Sequence, residues 1–235
     1  MSTSLSRAVW PEVPTADALV LVPVGSTEQH GPHLPLTTDT VIARAVAERV
    51  AARLPGRTLV APAMAYGNSG EHAHFPGTIS IGHQALRTVL IELVRSLALW
   101  AWRVVFVNGH GGNERTLDDA VPMLLAEGHH VAWTPCAFPG DAHAGRSETS
   151  VMLHLAPHEV RLPAAAAGDT RPLAVLMPQL VESGVRSVAP NGVLGDPAGA
   201  GEQEGRALLD ALVEDTVRRV TAFAPDGRGR LGGAA

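Results

Sequence analysis

The sequence predicts an α/β fold, a layered sandwich whose mostly parallel central sheet is flanked by helices. Three observations carry that expectation. Apolar, partly β-branched runs at 19–24 and 103–108 are short, continuous and closed by glycine, as strands covered on both faces are. Segments at 41–54 and 84–100 instead repeat their apolar residues at helical spacing. Strand and helix then alternate along the chain, the order a parallel sheet requires. The length of 235 residues suits one domain spanning 1–235, with an irregular arm at 1–16 and a flexible tail at 225–235.

In chain order, Pro11 and Pro14 punctuate the arm, and the run LVLVPV ends at Gly25. Thr38 or Asp39 opens a helix, VIARAVAERVAARL, that stops before Pro55-Gly56. A short strand is expected over 58–61, followed by a Gly- and His-rich stretch, 64–81, too irregular for one element. Long polar loops of this kind in compact domains are commonly functional. A helix over 84–100 leads to the strand RVVFVN, the turn GHGGN and a helix over 114–126. A third strand, 130–136, passes through a loop, 138–145, into a helix that carries Arg146, Ser147 and Glu148 in its first turn. After an alanine-rich connector at 163–168, a short helix is expected at 173–183, turn residues at 190–195 and a closing amphipathic helix at 202–222.

Composition narrows the function. The formal net charge is −5, with charges of both signs spread along the chain, so no nucleic-acid partner is expected. The single cysteine, Cys136, cannot form an internal disulfide, which fits a reducing compartment and leaves any metal to nitrogen and oxygen ligands. The N-terminal residues lack the apolar centre of a secretory signal, and no stretch reaches roughly 18 uninterrupted apolar residues. A soluble cytoplasmic protein with no membrane partner is the expectation.

The chemistry-bearing residues gather just beyond predicted strand ends, where open α/β sheets bind ligands. Glu28 and His30 follow the first strand two positions apart, so extended backbone would point both to one side. Asp39 reaches the same place if the intervening Gly-Pro segment folds back. His110 follows the second strand end. GHGGN matches neither the dinucleotide fingerprint nor the P-loop, so its glycines are read as a sharp turn that presents the histidine. Asp141, His143 and Glu148 lie within eight residues of one another in the third such loop. Of the eleven histidines, His30, His33, His72, His74, His110 and His143 fall in strand-end loops, whereas His83, His129, His130, His154 and His158 are read as surface or packing residues.

Two imidazoles and three carboxylates, from Glu28, His30, Asp39, His110 and Glu148, can hold two divalent ions if one carboxylate bridges. Asp39 is assigned the bridge because it arrives from a separate segment. The mixed donor set suits zinc, iron(II) or manganese rather than magnesium or calcium. Such a pair lowers the pKa of a shared water towards about 7. His143 is the candidate acid that protonates the leaving nitrogen. Amide hydrolysis is the reaction this equipment suits best.

These residues resemble the creatininase (creatinine amidohydrolase) family. The likeness rests on VPVGSTEQHGPHLPLTTD, Asn108-Gly109-His110 and GDAHAGRSETS, and spans about residues 18–225. It implies a layered α/β fold, a dinuclear metal centre and a homo-oligomeric ring, a hexamer or octamer. The chain departs from true creatininases, which carry Tyr-Glu where this sequence has Gly111-Gly112 and a tryptophan where it has Pro139. An aromatic contact and an acidic ligand are thereby lost, and creatinine is a poor substrate guess. Glu148 is expected to complete the second metal site.

Within the family, YGNSGEHAHFPGT and PNGVLGDPAGA resemble the mycofactocin-system branch. That likeness implies a peptidase that trims a modified ribosomal precursor peptide and releases a Val-Tyr-derived dipeptide. Ser69 and Arg146 are the residues expected to touch such a substrate. Another amidohydrolase of the family, such as a formamide deformylase or a small cyclic amide hydrolase, stands as the alternative.

Overall fold

A computed structural model describes residues 4–14 and 17–232. Four strands, β1 (Leu19–Val24), β2 (Thr58–Val60), β3 (Arg103–Asn108) and β4 (Val131–Pro135), form one parallel sheet in the order β2-β1-β3-β4. Seven α-helices flank it among the described residues: α1 (Thr38–Arg53), α2 (Gly82–Leu97), α3 (Glu114–Ala126), α4 (Arg146–Leu155), α5 (Leu173–Ser183), α6 (Val185–Val188) and α7 (Glu202–Ala222). The expected α/β sandwich is the architecture observed. None of the helices is long and apolar enough to cross a membrane.

Alternate residues of each strand feed two separate cores, as the two-residue period of a strand dictates. Leu21, Val105, Val107 and Ala132 pack with α1, α4 and α7 through side chains such as Val46, Met152 and Leu209. Val20, Val22, Phe106 and Trp133 point the other way, onto Leu86 and Leu90 of α2 and Leu117 and Leu124 of α3. Because both faces are covered, the strands read as unbroken apolar runs. Pro23 is tolerated inside β1 because its side of the ladder lies beyond the end of β2. Its carbonyl accepts from Met64 N at 2.9 Å, and no donor is required of Pro23 in return.

Several boundaries differ from the sequence expectation. Strand β2 ends at Val60 and α2 begins two residues early and stops at Leu97, with Trp100 in the turn that follows. The short helix α6 was not foreseen. The largest correction concerns the expected flexible tail. Residues 225–232 are held against β4, with Trp133 N donating to Gly229 O at 2.9 Å and Leu231 N to Trp133 O at 2.8 Å. Leu231 is fully buried, so one apolar residue anchors a stretch whose glycines and arginines suggested none. Of the N-terminal arm, Leu5 and Val13 pack on the α2/α3 core and Ser4 pairs with Val60, while the ends of that arm (1–3, 15–16) and of the tail (233–235) lie outside the described residues.

The strand order reverses between β1 and β3, which opens a crevice at their carboxyl ends. Val24 and Asn108, the last residues of the two strands, are register partners. Loops leaving these neighbours therefore start side by side.

Candidate metal centre

The segment after β1 folds back on the start of α1. Gly25 permits the approach, since a Cβ there would collide with the backbone of Thr40. Ser26 Oγ donates to Asp39 Oδ2 at 2.6 Å, and Glu28 N donates to Leu36 O at 3.0 Å. Asp39, in the first turn of α1, thereby returns to His30, whose Nε2 lies 2.9 Å from Oδ1. The other oxygen, Oδ2, is 3.4 Å from His110 Nδ1. Asp39 thus presents one oxygen to each of two imidazoles that come from different strand ends.

Asn113 staples the loops together. Its side-chain amide donates to Gly25 O at 3.0 Å and Asn108 Oδ1 at 3.2 Å, while its Oδ1 accepts from Asn68 N at 2.9 Å. These bonds tie the ends of β1 and β3 to the 64–81 stretch and bring Glu71 and His72 into the crevice.

Glu28 occupies the middle of the cluster and is fully buried. Its Oε2 lies 3.1 Å from His110 Nε2, and its Oε1 lies 3.4 Å from His72 Nε2 and 3.8 Å from His143 Nδ1. Neither oxygen has a hydrogen bond of acceptable geometry. Burial alone would raise the carboxyl pKa, yet the facing His110, with His72 and His30, holds it well below the usual range. An ionised carboxylate with two unpartnered, buried oxygens is costly unless a cation completes it.

The imidazoles are pre-set by their outer bonds. His30 Nδ1 donates to Glu28 O at 3.1 Å, which leaves Nε2 for Asp39's side of the site. Burial opposes a charge on His30, but Asp39, then Glu148 and Glu28, raise its pKa to about 10. His110 is likewise pushed well up, against burial, by Glu28 and then Glu71 and Asp39. The Gln29 amide donates to His72 Nδ1 at 2.8 Å and Gly192 O at 2.9 Å. His72 must then carry its proton on Nε2, facing Glu28. Burial and the neighbouring His143 push its pKa down to about 2, so the ring stays neutral.

His143 Nε2 donates to the Gln29 carbonyl at 2.8 Å, which turns a bare Nδ1 into the cluster. Burial and the proximity of His30 lower its pKa. Ala144, immediately after it, is buried at φ 51°, a left-handed conformation that costs about 1 kcal/mol or more in a non-glycine residue. That kink lets Glu148, in the first turn of α4, accept from Ala144 N at 2.6 Å and face His30 and His143.

Four trios of side chains each offer ligand atoms within 4.8 Å of one another: Glu28–His30–Asp39, His30–His143–Glu148, Glu28–His72–His143 and Glu28–Glu71–His110. Mixed nitrogen and oxygen donors at this spacing fit divalent ions such as zinc, manganese or iron(II). The six residues expected from sequence at the chemical centre, Glu28, His30, Asp39, His110, His143 and Glu148, all converge. Glu71, His72 and Gln29 were missed as members. His72 carried one signal, its place in a strand-end loop, but nothing in the spacing placed that loop over β1 and β3.

The two expected substrate contacts are placed differently. Arg146 turns outward, its Nε 3.0 and 2.9 Å from the two Glu204 oxygens, and does not line the cleft. Two positions before Glu148 on a helix, it points to roughly the opposite side. Ser69 is fully buried behind His110, its Oγ 3.4 Å from Nε2, and addresses the imidazole rather than open space. Asp141 stands apart from the cluster and accepts from Arg146 N, the first N–H of α4, at 2.7 Å. His33 bonds Thr149 Oγ1 at 2.9 Å, and His74 is exposed.

A cleft of about 620 Å³ opens onto the centre beside His110 and Glu148, walled by Phe138, Thr170, Pro172 and Leu194. It has room for the end of a peptide, and its lining mixes polar and apolar groups.

Residues 6–220 match the family described as creatininase, creatinine amidohydrolase. The chain is 51% identical over 236 residues to the mycofactocin precursor peptide peptidase of Mycobacterium tuberculosis, covering 97% of this chain and 94% of that protein. Its fold resembles a creatininase solved in a Mn form and a mutant creatininase of Zn-Zn type, each with TM-score 0.80 and 27% sequence identity over 96% of this chain and 100% of that one. Every segment that contributes to the cluster lies inside residues 6–220.

Proposed function

Because the chain belongs to the creatininase family and is an amidohydrolase of it, we propose that it is a metal-dependent peptidase of mycofactocin biosynthesis. Its substrate would be a modified ribosomal precursor peptide, cut at an amide bond near the C-terminus to release a Val-Tyr-derived dipeptide. The observation that carries the reading is the 51% identity to a precursor peptide peptidase across nearly the full length of both chains. The unpartnered Glu28 carboxylate, at the meeting point of the imidazoles, supports the metal requirement.

Glu28, His30, Asp39, His110 and Glu148 would hold two divalent ions, with Asp39 as the shared carboxylate because it stands between His30 and His110. Such ions, when bound, polarise a carbonyl and acidify water. His143 supplies the proton traffic. With Nε2–H committed to Gln29, its neutral Nδ1 accepts a proton from the attacking water and returns it to the departing amide nitrogen. Gln29 fixes the orientation of both His143 and His72, and His72 in turn faces Glu28 with its remaining N–H.

A homo-oligomer, in the form of a ring, is part of the same proposal. Trp10, Leu99 and Val181 are 86%, 85% and 79% exposed, apolar side chains that contact between copies would cover.

The test is anaerobic incubation of Fe2+- or Zn2+-loaded protein with the modified precursor peptide, followed by mass spectrometry. Release of the dipeptide is expected. An intact peptide alongside hydrolysis of a formamide or a cyclic amide would transfer the chain to a different amidohydrolase activity.

A further inference from the structure

Glu71 lies in the short turn Gly70–His72, outside any strand or α-helix, with its side chain 30% exposed. Its Oε1 is 3.4 Å from His110 Nε2, the nitrogen that also stands 3.1 Å from Glu28 Oε2 and 3.0 Å from Asn68 O. Two ligands about 2.1 Å from one cation are separated by about 3.0 Å at an octahedral angle and about 3.4 Å at a tetrahedral one. The observed separations fall in that interval. Among the described residues no arginine pairs with Glu71, and its one ion-pair partner is His110.

The opposite wall is shaped to admit this carboxylate. Gly112 does not occupy the left-handed region, so its backbone imposes no need for glycine. Space does. A Cβ at 112 would fall on Glu71 Oε1, His110 Nε2 and the Asn68 carbonyl oxygen. Backbone on the far side fixes the turn, because Gly184, at φ 72°, packs against the Glu71 carbonyl where a Cβ would stand 2.8 Å from it. The independent pointer to a ligand is Glu28, whose Oε2, buried and without a hydrogen-bond partner, stands 3.1 Å from the same His110 nitrogen.

We propose that Glu71 is a direct ligand of the cation held by His110 and Glu28, entering from the 64–81 loop through the gap left by Gly112. The proposal rests on the metal-dependent reading above, but its test does not use peptide turnover. Metal content after dialysis and competitive titration with a chromophoric chelator are measured on the full-length protein, on Glu71→Gln and on Gly112→Ala. Glu71→Gln is expected to weaken one of two bound equivalents by about 10-fold or more and leave the other unchanged. Gly112→Ala, with Glu71 intact, is expected to weaken the same equivalent because its methyl group would fall on both the Glu71 carboxylate and His110 Nε2. Glu114→Gln, an acid at the same mouth but outside every trio, should retain both. Two equivalents of unaltered affinity in Glu71→Gln would overturn the ligand role alone. An unmodified protein that binds no divalent ion would overturn the metal reading along with it.

Discussion

His143 and Gln29 are joined through main chain rather than through acid and base: the imidazole Nε2 donates to the Gln29 carbonyl at 2.8 Å. A side-chain carboxylate in that place would draw the ring towards the charged form. A neutral carbonyl fixes the tautomer and leaves the ring free to gain and lose a proton. His143→Ala is therefore expected to keep its divalent ions and lose turnover by about 10²- to 10⁴-fold. Steady-state kinetics paired with metal analysis on one sample checks this, and loss of metal in parallel with activity would make His143 a ligand instead.

Asp39 has a harsher expected phenotype. Its two oxygens serve two imidazoles, so Asp39→Ala should release both ions, whereas a one-sided ligand would release one. Elemental analysis of dialysed protein decides between them, and full metal content would end the bridging assignment.

In the metal-free protein, stability should peak near neutral pH. His30 has its folded pKa raised from 6.5 to about 10, so its contribution is complete below about 6.5 and is lost as pH climbs towards 10. His72 is lowered to about 2, so keeping it neutral in the fold costs progressively more as pH falls below 6.5. Melting temperatures of chelator-treated protein between pH 5 and 10 should trace this dome. Saturating metal should flatten the alkaline side, because a cation then balances the carboxylates in place of the proton. A chelated protein whose melting point rises steadily from pH 7 to 10 would contradict the assignment.

Leu231→Ala should destabilise the protein by about 2–5 kcal/mol, as expected for a fully buried leucine. Urea denaturation followed by circular dichroism measures the shift. An unchanged midpoint would mean the segment at 225–232 contributes nothing to the core.

The sequence made the strand-end residues legible because their geometry is local. Glu28 and His30 follow an unmistakable buried strand, Asp39 opens the next helix and His110 sits in a glycine turn after the neighbouring strand. Glu71 and His72 depend instead on Asn113 reaching across from after β3 to the main chain of Asn68, a contact between residues 45 positions apart with no periodic signature. Arg146 was misread through proximity in number: it shares a turn with Glu148, yet two steps along a helix reverse the direction of a side chain. The tail was misread because composition registers glycine and arginine but not the one leucine that packs into the core while its N–H donates to Trp133 O.

The chain's two ends have a consequence for assembly. Ser4 pairs with Val60 on the outermost strand at one margin of the sheet, and residues 229–231 pair with Trp133 on the outermost strand at the other. Margins occupied in this way offer little template for a foreign strand, so neither amyloid-like stacking nor capture of an extended peptide by sheet extension is available there. The ring proposed above would therefore be built through helices and loops rather than by extension of the sheet.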